Sequence, residues 1–454
     1  MNIVLISCDT LRADHLGCYG YTRPTSPYLD RIAAEGVLFE QAFAADVPTE
    51  PAHTAIFTGR WGTKTGIVAH GAHNAYLSKE TPWLPQLLWD RGFNTAACDN
   101  LYKLKEWFAR GYRTYINTVS KTRWIDGKDV TGPAVDWLRH YGRSEPFFLF
   151  MHYWDPHTPY LPPEEHRRMF YEGDPYSSRH TGMERVRAQA VYPFFHQFHY
   201  QYLGPVTDPA YISALYDAEI RYLDDQLRSF DDALKSMGLY EDTLLVVVGD
   251  HGECLYEHDI YWDHAGLYDA VVRIPLIMRW PGRIPAGTRV KPFVQHVDIF
   301  PTLLEAAGVK VPEGGDGQSL WPLIRGEEES AHELIVHGEC NWQASRAIRT
   351  REWKLIQNID PWVFQRPPLE LYNLAQDPGE TTNLAETERE VADELLAQLL
   401  KEVDKRLGTR PDPIRQTLTA TGIPAVARLE RTMAKWGLTW AEWLKEPDPR
   451  RLGL

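Results

Sequence analysis

The sequence predicts an α/β fold: a large, mostly parallel sheet covered by helices on both faces, with a smaller C-terminal subdomain of antiparallel sheet plus helix. Three observations predict it. Over residues 1–315, apolar runs of strand length alternate with segments of helical spacing, as when parallel strands are joined by helices. Several runs stop at an acid (Asp9, Asp99, Asp250), which places carboxylates at the sheet edge where open α/β folds keep their sites. Past Asp316 the alternation gives way to short strand-like pieces and one long helix.

In chain order, residues 2–7 form a buried strand ending at Cys8-Asp9-Thr10. Residues 25–36 are helical, since Tyr28, Leu29, Ile32 and Ala33 recur at helical spacing. A strand over 37–44 leads into Pro48-Thr49-Glu50-Pro51-Ala52-His53, which reads as a helix start. Its prolines fix local φ and restrict the residues before them. A helix over 84–92 precedes a strand over 94–98, and a helix over 130–141 precedes a strand over 146–151. That strand runs out into His152-Tyr153-Trp154-Asp155-Pro156-His157-Thr158-Pro159-Tyr160. Residues 162–209 break the rhythm, as an insertion that is either a lid over the site or a structural excursion. A long amphipathic helix over 211–237 leads to a valine-rich strand over 244–248 that ends at Gly249-Asp250-His251-Gly252-Glu253. A strand over 274–280 and a helix over 295–307 complete the first unit.

The second unit, 316–407, has strand-like pieces at 333–337, 344–350 and 353–357 and a helix over 386–406. The tail, 408–454, is rich in proline, and its Trp436, Trp440 and Trp443 recur at helical spacing. It therefore packs on something, either its own body or a second subunit in a homo-oligomer. A formal net charge of −14 argues against a nucleic-acid surface, but not against an anionic substrate, because a metal can reverse the local field. No apolar run approaches membrane-spanning length, and residues 2–6 read as strand rather than signal peptide. The five cysteines are scattered without metal-site spacing, as in a reduced, cytoplasmic protein.

The candidate metal ligands are Asp9, Thr49, Asp250 and His251. Carboxylate oxygens with one imidazole suit Mn²⁺, Zn²⁺ or Mg²⁺ better than Ca²⁺. From the residues alone Thr49 reads as a helix cap or as a hydroxyl presented at a helix N-terminus, where free N–H groups favour an anion.

Further motifs carry a family resemblance. They are Asp9-Thr10-Leu11-Arg12-Ala13-Asp14-His15, Thr58-Gly59-Arg60, Asp155-Pro156-His157-Thr158-Pro159-Tyr160, Asp250-His251-Gly252-Glu253, Arg273-Ile274-Pro275 and Leu371-Tyr372-Asn373-Leu374. In this order the sequence resembles, over about residues 1–384, the sulfatase branch of the alkaline phosphatase superfamily. The resemblance implies an alkaline phosphatase-like fold and a metal-dependent hydrolase of small-molecule anionic esters. Sulfatases carry Cys or Ser, converted to formylglycine, in a C/S-x-P-x-R motif. Here Thr49 holds the nucleophile position, Pro51 is the motif proline and His53 replaces the arginine. Thr10 stands where many sulfatases have a second metal Asp, and His251 where they have Asn. A plain alcohol is similar to the phosphodiesterase, phosphonate monoester hydrolase and phosphoethanolamine-transferase relatives, which form a phosphothreonine.

The resemblance further implies roles in catalysis or phosphoryl binding for His157 and His264, and substrate contacts for His53, His70 and Asn100. His296 and Asp298 read as structural support, Glu253 and Glu219 as surface or scaffold, and His15, His73, His258 and His337 carry no role. The expected mechanism has metal held by Asp9, Asp250 and His251 activating Thr49 for in-line attack on phosphorus. The expected function is hydrolysis of a phosphodiester or phosphonate monoester. The alternatives are sulfuric ester hydrolysis without formylglycine, phosphoryl transfer, or a metal-binding pseudoenzyme.

Overall fold

In the computed structural model, residues 1–71, 75–119 and 125–453 are described, so His73 lies outside the described residues. The first strands are β1 (Asn2–Cys8), β2 (Val37–Phe43) and β3 (Asp46–Val47). Next come β4 (Asn94–Asp99), β5 (Thr114–Asn117), β6 (Phe147–Tyr153) and β7 (Thr243–Gly249). The short β8 (Arg273–Ile274) and β9 (Leu276–Arg279) precede β10 (Thr288–Gln295). The last four are β11 (Ile335–Cys340), β12 (Ala344–Arg349), β13 (Trp353–Asp360) and β14 (Leu369–Asn373).

The main sheet has the order β10-β2-β9-β7-β1-β6-β4-β5, with β8 paired to β2. The neighbours β7-β1-β6-β4-β5 are parallel, and β9 runs antiparallel to both β7 and β2. Every residue of β1, β6 and β7 is buried. Strands apolar on both faces need a helical layer on each side, and each fully buried Leu or Val contributes roughly 1.5–3 kcal/mol. Parallel pairing sets Ser7 beside His152 and Cys8 beside Gly249, so the residues that follow β1 and β7 emerge together at one edge.

The smaller sheet, β14-β13-β12-β11-β3, is antiparallel except that β3 runs parallel to β11. The helix Arg389–Leu407 covers it, burying Leu395, Leu399 and Val403 against Val336, Ile348, Leu355 and Leu371. Asp46 and Val47 pair with Gly338 and Glu339, so the segment just ahead of Thr49 is stitched into this second sheet.

Four strands escape the sequence pattern, the first being β3, whose two residues are too few to show one. β5 is a short outer strand whose residues are only half-buried, so it lacks a continuous apolar run. β10 contains Pro292, which removes a ladder donor; it is tolerated because the strand lies at an edge and shifts register between Val290 and Phe293. β14 carries Glu370, buried and hydrogen-bonded to the Tyr268 and Tyr372 hydroxyls, an acid that disguises the strand. The run over 274–280 is divided by Pro275 into β8 and β9.

The tail folds back on its own chain. Trp443 is buried and donates its indole N–H to the Ala190 carbonyl at 2.7 Å, and the Trp440 ring lies 5.7 Å from that of Trp362. No helix among the described residues is long and apolar enough to cross a membrane.

A buried ion pair joins the sheet to its long covering helix. Arg279 on β9 donates to Asp231 of the helix Pro209–Ser236 at 2.5 Å, with both side chains almost wholly buried. Asp231→Ala leaves the guanidinium without its main partner. We expect it to cost about 3–5 kcal/mol, measured by equilibrium denaturant unfolding.

Candidate active site

Thr49 opens the helix Thr49–Thr58, with Pro48 in the cap position ahead of it. Its hydroxyl lies 3.5 Å from Asp9 Oδ2, to which it donates, and 3.4 Å from His251 Nε2. Asp9 follows β1 directly, and Asp250 and His251 follow β7, so neighbouring parallel strands deliver all three candidate ligands. One ligand atom from each of Asp9, Asp250 and His251 lies within 4.8 Å of the others, and all three residues are fully buried.

The local backbone fixes which atoms face inward. Asp250 Oδ1 accepts the N–H groups of Thr10 (3.1 Å) and His251 (2.7 Å). Thr10 adopts a positive φ of 55°, uncommon for a residue with a β-branched side chain. His251 donates Nδ1–H to the Gly252 carbonyl at 2.9 Å, which leaves the Nε2 lone pair turned toward the two acids. Asp9 Oδ1 and Asp250 Oδ2 are buried with no hydrogen-bond partner.

The charges agree with the geometry. Burial, then the facing Asp9, push the Asp250 carboxyl well above its ordinary value. Burial alone would raise Asp9 too, but hydrogen bonding to His152, ahead of the influence of the neighbouring His157 and His251 imidazoles, holds it below the carboxylate range. Burial lowers the His251 pKa and keeps its imidazole neutral. Two orphaned carboxylate oxygens beside a neutral imidazole nitrogen are a donor set that a divalent cation fits.

Above this floor opens a cleft of about 570 Å³, lined in part by Thr49, His70, His157 and His264. His157 is held through Nδ1–H to the Thr158 carbonyl at 2.6 Å, and its ring centroid lies 5.5 Å from that of His264. His264 in turn lies 4.7 Å from His251. Burial pushes the His264 pKa well below its ordinary value. Burial, with the nearby Arg428 charge, brings His70 down to about 3. Among the described residues neither has a hydrogen-bond partner for its buried Nδ1.

Two residues read as substrate contacts lie elsewhere. His53 is fully buried beneath Thr49: its Nδ1–H donates to the Thr49 carbonyl at 2.8 Å, and its Nε2 accepts from the Ser7 hydroxyl at 2.9 Å. With both nitrogens engaged it braces the helix start and is absent from the cleft wall. Asn100 lies behind Trp154, whose indole N–H it accepts at 3.0 Å, and faces a separate depression. Glu253 and Glu219 are buried rather than at the surface. They accept from the Tyr160 hydroxyl and the Leu161 N–H, and so anchor the loop that carries His157. His296 donates to the Gly249 carbonyl at 3.0 Å and supports the end of β7.

Other residues escape a sequence reading. His152, fully buried at the end of β6, places Nε2 3.3 Å from Asp9 Oδ2. Its signal is only its place on a strand next to β1. Phe194 and Phe198 bring the 162–209 segment into the cleft wall, Trp342 brings the β11–β12 turn, and Arg428, Arg431 and Lys435 bring the tail. The three cations fall at i, i+3 and i+7, a helical stripe that can be read in the sequence.

The family model described as Sulfatase matches residues 1–309, and that of the N-sulphoglucosamine sulphohydrolase C-terminal region matches 256–407. The chain is 24% identical to an N-acetylglucosamine-6-O-sulfatase of Bacteroides thetaiotaomicron, over 93% of this chain and 89% of that one. It is 27% identical to an arylsulfatase of Clostridium perfringens, over 89% and 95%. In fold it is similar to a phosphonate monoester hydrolase of Silicibacter pomeroyi, with TM-score 0.73 and 20% identity over 92% of this chain and 96% of that one.

Proposed function

Since the chain belongs to the sulfatase family, within the alkaline phosphatase superfamily, and is a hydrolase of sulfuric or phosphoric esters, we propose that its substrate is a phosphorus ester. The proposed substrate is a phosphodiester or phosphonate monoester, cleaved through a phosphothreonine. The observation that carries this reading is Thr49 itself, a secondary alcohol at the helix start beside Asp9 and His251. Oxidation of a threonine side chain gives a ketone, not the aldehyde whose hydrate lets sulfate depart by collapse of a hemiacetal. Thr49 is thus suited to ordinary covalent catalysis, with attack and hydrolysis as separate steps.

Asp9, Asp250 and His251 would hold a divalent metal, with Mn²⁺, Zn²⁺ or Mg²⁺ proposed over Ca²⁺, and Thr49 borders it. When bound, such an ion supplies Lewis-acid stabilisation of charge on the transferring group. The chain's own groups account for the rest. The Thr49 hydroxyl is aimed at Asp9 Oδ2, the direction in which its proton departs as the oxygen–phosphorus bond forms. The bond to the leaving oxygen breaks, and His157, facing the cleft, supplies that oxygen with a proton, while His264, which burial keeps neutral, offers its N–H to a phosphoryl oxygen. The N–H groups at the start of the Thr49 helix favour the anionic phosphoryl group. Water then attacks phosphorus and releases Thr49.

The sulfatase names of the curated relatives favour a second reading, sulfuric ester hydrolysis by the unmodified threonine. A panel of matched aryl sulfate, aryl phosphodiester and aryl phosphonate monoester substrates separates the two. The expected result is a kcat/KM at least tenfold higher on a phosphorus ester than on the sulfate. A preference for the sulfate overturns the phosphorus reading.

A further inference from the structure

One wall of the cleft is built by the tail. In the helix Val426–Met433, Leu429 and Met433 are buried in the core, while Arg428 and Arg431 turn the other way, with Lys435 one turn on. The Arg428 guanidinium reaches Gly71, beside His70: a Cβ built on Gly71 would lie 3.2 Å from Arg428 Nη2. Among the described residues none of the three cations has an ion pair within 4.0 Å; the nearby Glu50 and Asp263 stay outside that range. Trp154, Phe194 and Trp342 supply apolar walls to the same cleft.

We propose that Arg428, Arg431 and Lys435 form a subsite for a second oxyanion, such as a carboxylate, carried on the ring of the substrate's leaving group. The inference rests on the reading above in one respect: the ester itself reacts at the Thr49 end. The rings of Trp154, Phe194 and Trp342 fit an aryl or glycosyl ring between the two charged ends. The planar forks of the arginines match the geometry of a carboxylate or similar oxyanion. A cleft with an anion-seeking group at each end selects dianionic over monoanionic esters. Selection falls to the tail, outside the regions that the two family models match.

Two measurements on the full-length, metal-loaded protein test this. The first compares binding of 4-sulfobenzoate with binding of benzenesulfonate, neither of which can be hydrolysed, by thermal shift. The dianion is expected to bind at least tenfold more tightly to the wild type, and about equally with the monoanion to the R428M/R431M variant. The second takes whichever ester class the protein turns over and compares its phenyl and 3-carboxyphenyl esters. The kcat/KM ratio in favour of the carboxylated ester should fall at least tenfold in the variant, mainly through KM. Equal binding of the two probes by the wild type overturns the subsite. So does a variant that loses both esters in equal proportion, since the arginines would then serve the reacting group. Absence of turnover on every ester, with the preference for 4-sulfobenzoate intact, would sink the hydrolytic reading of Thr49 and leave the subsite standing.

Discussion

Thr49→Ala is expected to abolish turnover, with kcat falling on the order of 10⁴-fold or more, as when a covalent nucleophile is removed. The change deletes the hydroxyl that lies within 3.5 Å of both Asp9 and His251. It should leave the scaffold almost untouched. Thr49 is the first residue of its helix, and the bond that His53 makes there goes to the Thr49 carbonyl, which alanine retains. Alanine is also a good helix former. The melting temperature should therefore move by no more than a few degrees, and the metal content by elemental analysis should stay near that of the wild type. Thr49→Ser keeps an alcohol in place and should retain measurable activity. A Thr49→Ala protein that still turns over its ester at the wild-type rate would remove Thr49 from the chemistry.

Asp250→Asn is expected to empty the metal site while preserving its frame. The amide oxygen can still accept the N–H groups of Thr10 and His251, so the turn after β7 persists. The atom now without a partner, Asp250 Oδ2, becomes an uncharged NH₂. Elemental analysis should show metal content at or below a tenth of wild type, and kcat/KM should fall at least 10³-fold, on the order of one lost ligand charge in a dry site. A second readout separates metal binding from general damage. Without metal, the buried Asp250 charge faces Asp9, and its raised pKa marks a cost to the fold. After chelation Asp250→Asn should therefore melt at the same temperature as the wild type or higher. Retention of full metal content in the variant would exclude Asp250 as a ligand.

Much of this site could be read from residues because of where strands stop. Asp9 and Asp250 follow runs that are apolar on both faces, and such runs have little choice but to be central strands whose ends share an edge. Thr49 is singled out by the family resemblance, since its two flanking prolines alone leave it equally open as a helix cap. Spacing along the chain does not tell which way a side chain turns. His53 is one helical turn after Thr49, and the helix rotates it beneath the cleft against Ser7. Asn100 stands at a strand end, yet Trp154 lies across it. His152 sits on a strand where apolar neighbours conceal it, and only pairing between β1 and β6 brings it to Asp9. The cationic stripe of the tail was visible as a spacing, but its meaning depends on Trp443 and Met433 docking the tail helix beside the 162–209 segment. Such contacts between remote segments have no local signature.

The two-residue strand β3 has a bearing on when the enzyme becomes competent. Asp46 and Val47 set the approach to Thr49, and among the described residues they pair only with β11. Chains emerge from the ribosome N-terminus first, and folding proceeds as segments become available. The Thr49 segment is made early, but its partner strand lies in the 330s of the sequence. Synthesis therefore passes through a long interval in which Asp9, Thr49 and Asp250 exist as a chain without the frame that brings Thr49 to the two acids. Chains released before β11 should fail in activity even where β1, β6 and β7 have already formed their sheet.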